Sequence, residues 1–158
     1  MAAKNKEGIE VVVLISANAE WASALQYYEM PPTEPSPFGT YVQLQLGGRE
    51  VILFHGGWGK VAAAASAQYV IDRWKPKLVL NLGTCGGLVG KSRVGEILLV
   101  DKTLIYDIYE RMGDPAEALA YYTTDLDLDF LSDPYPQAVR RGQLVSADQD
   151  IDPDLIHK

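Results

Sequence analysis

The 158-residue sequence predicts an α/β fold, with a central mixed sheet covered by helices on both faces in three α/β/α layers. Three observations carry this reading. Ile9–Ser16 (IEVVVLIS) and Lys77–Leu82 (KLVLNL) hold uninterrupted apolar stretches, Val11–Ile15 and Leu78–Leu80, as strands buried on both faces do. Segments with helical spacing alternate with such strands along the chain. Two strand-like runs, ending at His55 and Leu82, pass straight into glycine loops, HGGWGK and LGTCGG. In parallel sheets, ligands bind at such loops beyond the carboxyl ends of strands.

The elements follow in order. After the strand at 9–16, Asn18 offers an N-cap to a helix through AEWASALQYY, whose Trp21, Leu25 and Tyr28 share one face. Pro31–Pro37 (PPTEPSP) cannot continue that helix and reads as a surface loop. Thr40–Leu46 alternates, Gly47-Gly48 turns, and Glu50–His55 returns, which is a β-hairpin. Gly56–Gly59 is a glycine loop, and Lys60–Trp74 is an alanine-rich helix ended before Pro76. Beyond the strand at 77–82, Glu96–Val100 and Lys102–Asp107 read as one or two strands. Asp114–Tyr122 reads as a short helix capped by Asp114 with Pro115 in first position, and Arg141–Ser146 as a last strand. The strands at 9–16, 50–55, 77–82 and 141–146 are expected in one sheet.

Composition narrows the function classes. Hydrophobic residues make up 47% and charged residues 22%, so wholesale disorder is excluded. No apolar run approaches the roughly 20 residues of a membrane span, and MAAKNKEG precedes too short an apolar run for a secretory signal. One cysteine, Cys85, precludes an intramolecular disulfide, and the expected location is the cytoplasm. With His55 and His157 as the two histidines, no Cys/His zinc cluster can form. Fourteen basic and 21 acidic residues give a net charge of −7. Residues 1–113 are balanced at 11 of each sign, and residues 114–158 carry ten acidic and three basic side chains. That balance argues against a nucleic-acid partner.

Several motifs fail on inspection. Gly57-Trp58-Gly59-Lys60-Val61-Ala62 has dinucleotide-fingerprint spacing, but the next strand ends in Asn81-Leu82 without the ribose-binding acid. Gly59-Lys60 is no phosphate-binding P-loop, because Val61 replaces its Ser/Thr. The acidic triplets beginning at Asp125 and Asp148 place Phe130 and Pro153 where a calcium loop needs glycine, and they read as solvated faces. Gly83-x-Cys85-x-Gly87 spaces like a nucleophile elbow, yet LVGKSRVGE after it is a poor helix. What survives is the pair of glycine loops together with SANAEW. Glycines let a ligand approach the backbone, whose N–H groups can then bind it.

The segments GGWGKVAAAASAQYVIDRWKPKLVLNLGTCGGL, VGEILLVDKTLIYD and LVSADQDI resemble the nucleoside phosphorylase/nucleosidase superfamily, above all the methylthioadenosine/S-adenosylhomocysteine nucleosidases. The resemblance runs from about Ile9 to Ile151 and matches the N-terminal two-thirds of that fold. It implies a purine-nucleoside ligand, with the Gly83–Gly87 loop (Thr84, Cys85 and Gly86) around ribose and base. Trp58 would pack near the ribose or its 5′ substituent, and Asp150 and Ile151 would flank the purine. It implies that Glu20, the acid of the first loop, helps hold an attacking water, although alignment sets Trp21 at the family glutamate's place. Phosphorylases of the superfamily carry arginines where this chain has Asn81 and SANAEW, so the resemblance points to water as nucleophile. No metal and no organic cofactor is implied.

The family's ribose-binding glutamate and general-acid aspartate follow the last strand, and neither Asp148 nor Asp150 matches the acid. Residues 1–158 are therefore expected to be a single but incomplete domain. Its bare sheet faces would be covered by further chain or by self-association into a dimer or higher oligomer. The expected activity of the complete protein is hydrolysis of 5′-modified adenosines to adenine and a thio-sugar. Alternatives are a non-catalytic nucleoside-binding or assembly module, a phosphorolytic enzyme, and a cysteine hydrolase using Cys85 and His55.

Overall fold

The computed structural model describes residues 9–149 except positions 89 and 109. They fall into two compact units that divide after Cys85. The first contains β1 (Val11–Ile15), α1 (Asn18–Tyr27), β2 (Glu34–Ser36), β3 (Gly39–Leu46), β4 (Arg49–His55), α2 (Gly59–Trp74) and β5 (Leu78–Asn81). Its five strands lie in the order β2-β3-β4-β1-β5. β1 runs parallel to β4 on one side and to β5 on the other, while β3 lies antiparallel to β2 and to β4 between them. The sheet is mixed, as expected.

The strands at its centre are apolar on both faces because each face carries a helix. Val13, Ile15, Val42, Val51 and Leu53 point to one side, where Trp21, Ala24, Leu25 and Tyr28 of the α1 region pack on them. Val12, Tyr41, Ile52 and Phe54 point to the other, under Tyr69, Val70 and Trp74 of α2. The alternation of odd and even positions is the two-residue period of a strand. The Trp21–Leu25–Tyr28 face expected from spacing is the one buried. In the hairpin, Gly47 and Gly48 both have positive φ, 56° and 79°, which a two-residue type I′ turn requires.

Two local readings change. Ala17, not Asn18, is the α1 N-cap, and Asn18 is already helical. An alanine cap has no side-chain oxygen, so the first turn is tied instead by the Glu20 carboxylate, which accepts the Ala17 N–H at 3.2 Å. The proline-rich segment contains the short strand β2 at the sheet edge, with Pro35 opposite Thr40. An edge position tolerates a residue that cannot donate.

The second unit contains β6 (Leu98–Ile105), α3 (Pro115–Tyr121), β7 (Thr123–Asp125) and β8 (Arg140–Ser146). Its strand order is β7-β6-β8, with β6 parallel to β8 and antiparallel to β7. The two candidate strands around residues 96–107 are one strand whose register shifts between Val100 and Lys102. The strand expected at 141–146 exists, but it pairs with β6 in this three-stranded sheet rather than joining the five-stranded one. The run from Leu98↔Arg140 to Ile105↔Ser146 accounts for its whole length. Asp114 caps α3 by accepting the Ala116 N–H at 2.8 Å, with Pro115 at the first position. No helix of the described residues is long and apolar enough to cross a membrane.

Candidate functional site

Parallel pairing aligns the carboxyl ends of β4, β1 and β5 at one edge of the first unit's sheet. The register Leu14↔Phe54 and Leu14↔Asn81 brings three loops together: Ser16–Glu20, Gly56–Gly59 and Leu82–Thr84. Between them lies a pocket of about 360 Å³ lined by Ser16, Ala17, Glu20, Trp58, Asn81, Leu82, Gly83 and Thr84. Among the described residues, Glu20 is the one charged side chain of that lining, which includes no cation.

Glu20 is held by three donors. Its Oε1 accepts the Thr84 backbone N–H at 2.6 Å and the Thr84 hydroxyl at 2.7 Å, and its Oε2 accepts the Ala17 N–H. Partial burial pushes the carboxyl upward, but the bonds from the Thr84 hydroxyl, the Thr84 N–H and the Ala17 N–H outweigh it. The group therefore titrates below its ordinary value and is an anion at neutral pH. Gly83 makes room for this arrangement. A Cβ there would stand 3.1 Å from both carboxylate oxygens and 3.4 Å from Cδ.

Trp58 is the N-cap residue of α2, lines the pocket and is 68% exposed. An exposed indole beside a fixed carboxylate can offer an apolar face to a ring while the oxygens accept hydroxyl or water protons. Beneath this loop the chain is tightly packed. Ser66 of α2 is buried, and its hydroxyl donates to the Gly56 carbonyl at 2.7 Å.

Glu20, Trp58 and Thr84, three of the residues singled out from the sequence, thus share one pocket. Cys85 is exposed and does not line it. Gly86 opens the second unit, and a Cβ on it would meet nothing within 4 Å. Asp150 and Ile151 lie outside the described residues. Trp21, at the position where alignment sets the family glutamate, is 8% exposed and stacks on His55 with ring centroids 5.4 Å apart. His55 is thereby committed to the α1 face, its Nε2 enclosed, and like Cys85 it does not line the pocket. In the second unit, Asp107 after β6 accepts the Asp148 N–H after β8 at 2.7 Å, tying two further loops at strand carboxyl ends. Among the described residues, no group of three or more His, Cys, Asp or Glu side chains could hold a metal ion.

The sequence pointed to the loop Ser16–Glu20 and to Asn81. Gly83 as the residue that admits the carboxylate was not singled out, though a glycine directly after a strand is the available signal.

Comparison with known proteins bears on the family and the fold. The model of the phosphorylase superfamily matches residues 10–152. A 5′-methylthioadenosine/S-adenosylhomocysteine nucleosidase of Haemophilus influenzae (strain PittEE) is 32% identical over 113 residues, 66% of this chain and 49% of the relative. The nucleosidase of Aeromonas salmonicida is 29% identical over 130 residues, 75% of this chain and 56% of the relative. The chain thus spans about half the length of the curated relatives it matches. Among solved structures, the nucleosidase of Campylobacter jejuni superposes with a TM-score of 0.72 at 17% identity, over 94% of this chain and 69% of the other. The Neisseria meningitidis nucleosidase, in complex with methylthio-immucillin-A, gives 0.68 at 22% identity over 89% and 65%. A futalosine hydrolase mutant of Helicobacter pylori gives 0.71 at 14% identity over 93% and 71%. These likenesses share the α/β fold, and the match over residues 10–152 shows that the chain belongs to the phosphorylase superfamily.

Proposed function

We propose that the chain carries the ribose-side wall of a purine nucleosidase site, hydrolysing the N-glycosidic bond of 5′-modified adenosines such as methylthioadenosine and S-adenosylhomocysteine. The observation that supports water as nucleophile is the charge of the pocket: an ionised Glu20 and no lining cation. A phosphorolytic site must hold a phosphate dianion, which calls for arginine or comparable donors. Placed about 4 Å from a carboxylate at an effective dielectric constant near 20, each added negative charge costs about 4 kcal/mol.

In this reading Glu20 accepts a proton of the attacking water or of a ribose hydroxyl. Its charge stabilises the positive sugar ring of an oxocarbenium-like transition state. Trp58 packs on the sugar or its 5′ substituent, and the Gly83–Gly86 loop, with Thr84 and Cys85, borders ribose and base. A general acid must protonate the departing base. Support comes also from the nucleosidase relatives at 29% and 32% identity.

The test is adenine release from methylthioadenosine by the purified chain, with and without phosphate, alongside calorimetric binding of the same nucleoside. Binding that phosphate neither requires nor strengthens is expected, and any release is expected to be independent of phosphate as well. Saturable phosphate dependence would replace this reading with a phosphorylase. Absence of both binding and release overturns it.

A further inference from the structure

The Glu20 carboxylate has more donors than its place in α1 requires. A cap needs one bond, and the Ala17 N–H supplies it to Oε2 at 3.2 Å. The two bonds from Thr84 come from a residue 64 positions away, both to Oε1, at 2.6 and 2.7 Å. A carboxylate oxygen has two lone-pair sites. Oε1 is therefore saturated, while Oε2, with a single bond, keeps one site open, on a side chain that lines the pocket. Gly83 lies against both oxygens, where a Cβ would come within 3.1 Å. The bonds from Thr84 and Ala17 thus fix the orientation of the carboxylate.

We propose that Thr84 is the positioning residue of this site: its N–H and hydroxyl together occupy Oε1, leaving Oε2 as the single acceptor for an incoming hydroxyl or water. The proposal deepens the nucleosidase reading and rests on it for the identity of the incoming group. A carboxylate with two equivalent open oxygens accepts protons from several directions and must be ordered when the ligand arrives. Thr84 removes that cost beforehand and sets one direction of approach. The hydroxyl is the replaceable half of the device, because the N–H is present whatever the side chain. Serine at 84 keeps both donors, and valine, of nearly the same shape, keeps one.

The test follows Glu20 directly. In the full chain labelled with ¹³C-glutamate, the side-chain carboxyl carbon of Glu20, assigned from Glu20→Gln, is titrated in the wild type, Thr84→Val and Thr84→Ser. Loss of a hydrogen bond to the charged form shifts the midpoint upward in Thr84→Val, and Thr84→Ser returns it to the wild-type position. Methylthioadenosine binding weakens about tenfold or more in Thr84→Val, as for loss of a bond to a charged group. It is restored in Thr84→Ser. The acid limb of the binding profile moves up in Thr84→Val alone. A structural staple between two loops would lower stability and shift the Glu20 midpoint while leaving the binding affinity and its pH profile unchanged, and that result overturns the proposal. An unchanged Glu20 midpoint in folded Thr84→Val overturns it as well. A shifted midpoint in a chain that binds no methylthioadenosine upholds the positioning of Glu20 and refutes the nucleoside reading alone.

Discussion

Gly56 gives the sharpest measure of how tightly α2 is set against the sheet. It is buried at the end of β4, and its position leaves no room for a methyl group. A Cβ would fall 2.4 Å from Ser66 Oγ, 2.6 Å from Ser66 Cβ and 3.2 Å from Phe54 Cε1. Carbon atoms pack best at about 3.5–4.0 Å, so the Ser66 contact is about an ångström too close. Neither neighbour can yield cheaply. Phe54 is fully buried, and Ser66 is 2% exposed with its hydroxyl on the Gly56 carbonyl. Gly56→Ala must therefore push α2 off the sheet or turn Ser66 out of its bond. Overpacking costs about 1–3 kcal/mol and a lost buried hydrogen bond about 1 kcal/mol more, so about 2–4 kcal/mol in all is expected. Urea unfolding followed by circular dichroism and tryptophan fluorescence measures it. Ser66→Gly removes both clashing atoms, at about 1 kcal/mol for glycine inside a helix and about 1 kcal/mol for the hydroxyl bond to Gly56 that it gives up. The double variant should accordingly lie at least about 1 kcal/mol above the sum of the two single changes. Gly56→Ala within about 0.5 kcal/mol of the wild type would refute the packing argument, since that is the scale of surface substitutions.

Three further changes test other parts of the structure. Glu20→Gln keeps an acceptor for Thr84 but loses the charge, and a stability loss of about 1–3 kcal/mol is expected at pH 7. Because the folded carboxyl titrates below its ordinary value of 4.5, the wild type's advantage is complete above that value. The advantage disappears as the pH falls through the lower folded value, which paired urea melts at pH 7 and in acid would show. Trp58→Ala removes an exposed side chain that makes no capping hydrogen bond, so stability should stay within about 0.5 kcal/mol while calorimetric affinity for methylthioadenosine falls about tenfold. Lys75 closes α2 in the left-handed region at φ 46°, and Lys75→Gly should stabilise by about 0.5–1 kcal/mol in thermal melts.

Much of this architecture is legible in the amino-acid order because short-range periodicity encodes it. The apolar runs at 9–16 and 50–55 had to be central strands, since only two-sided burial accommodates them. The run at 77–82, expected to be buried on both faces, forms β5 at the edge of the five-stranded sheet, with Leu80 exposed. The spacing of Trp21, Leu25 and Tyr28 had to be a covered helix face. Asp114-Pro115 marks a helix start from three residues of local chemistry. The short strands β2 and β7 carry no such signal. Each is three residues long, polar and at a sheet edge, and it is a strand because a partner is there to bond it.

The site depended on more. From the sequence, Glu20 is the one candidate acid of the first loop, while alignment sets Trp21, one residue on, at the family glutamate's place. The fold separates them, because successive helical residues point about 100° apart. Trp21 turns into the core against His55, and Glu20 turns to the strand ends. The sequence by itself determined which segments are strands and helices, that loops rich in glycine follow β4 and β5, and that the first loop carries an acid. Only the tertiary structure decided that this acid meets Thr84, 64 residues away, with Gly83 leaving it room. The reason is physical: residue periodicity reports burial along a segment, whereas the meeting of distant loops is set by strand order, here the parallel pairing of β1 with both β4 and β5.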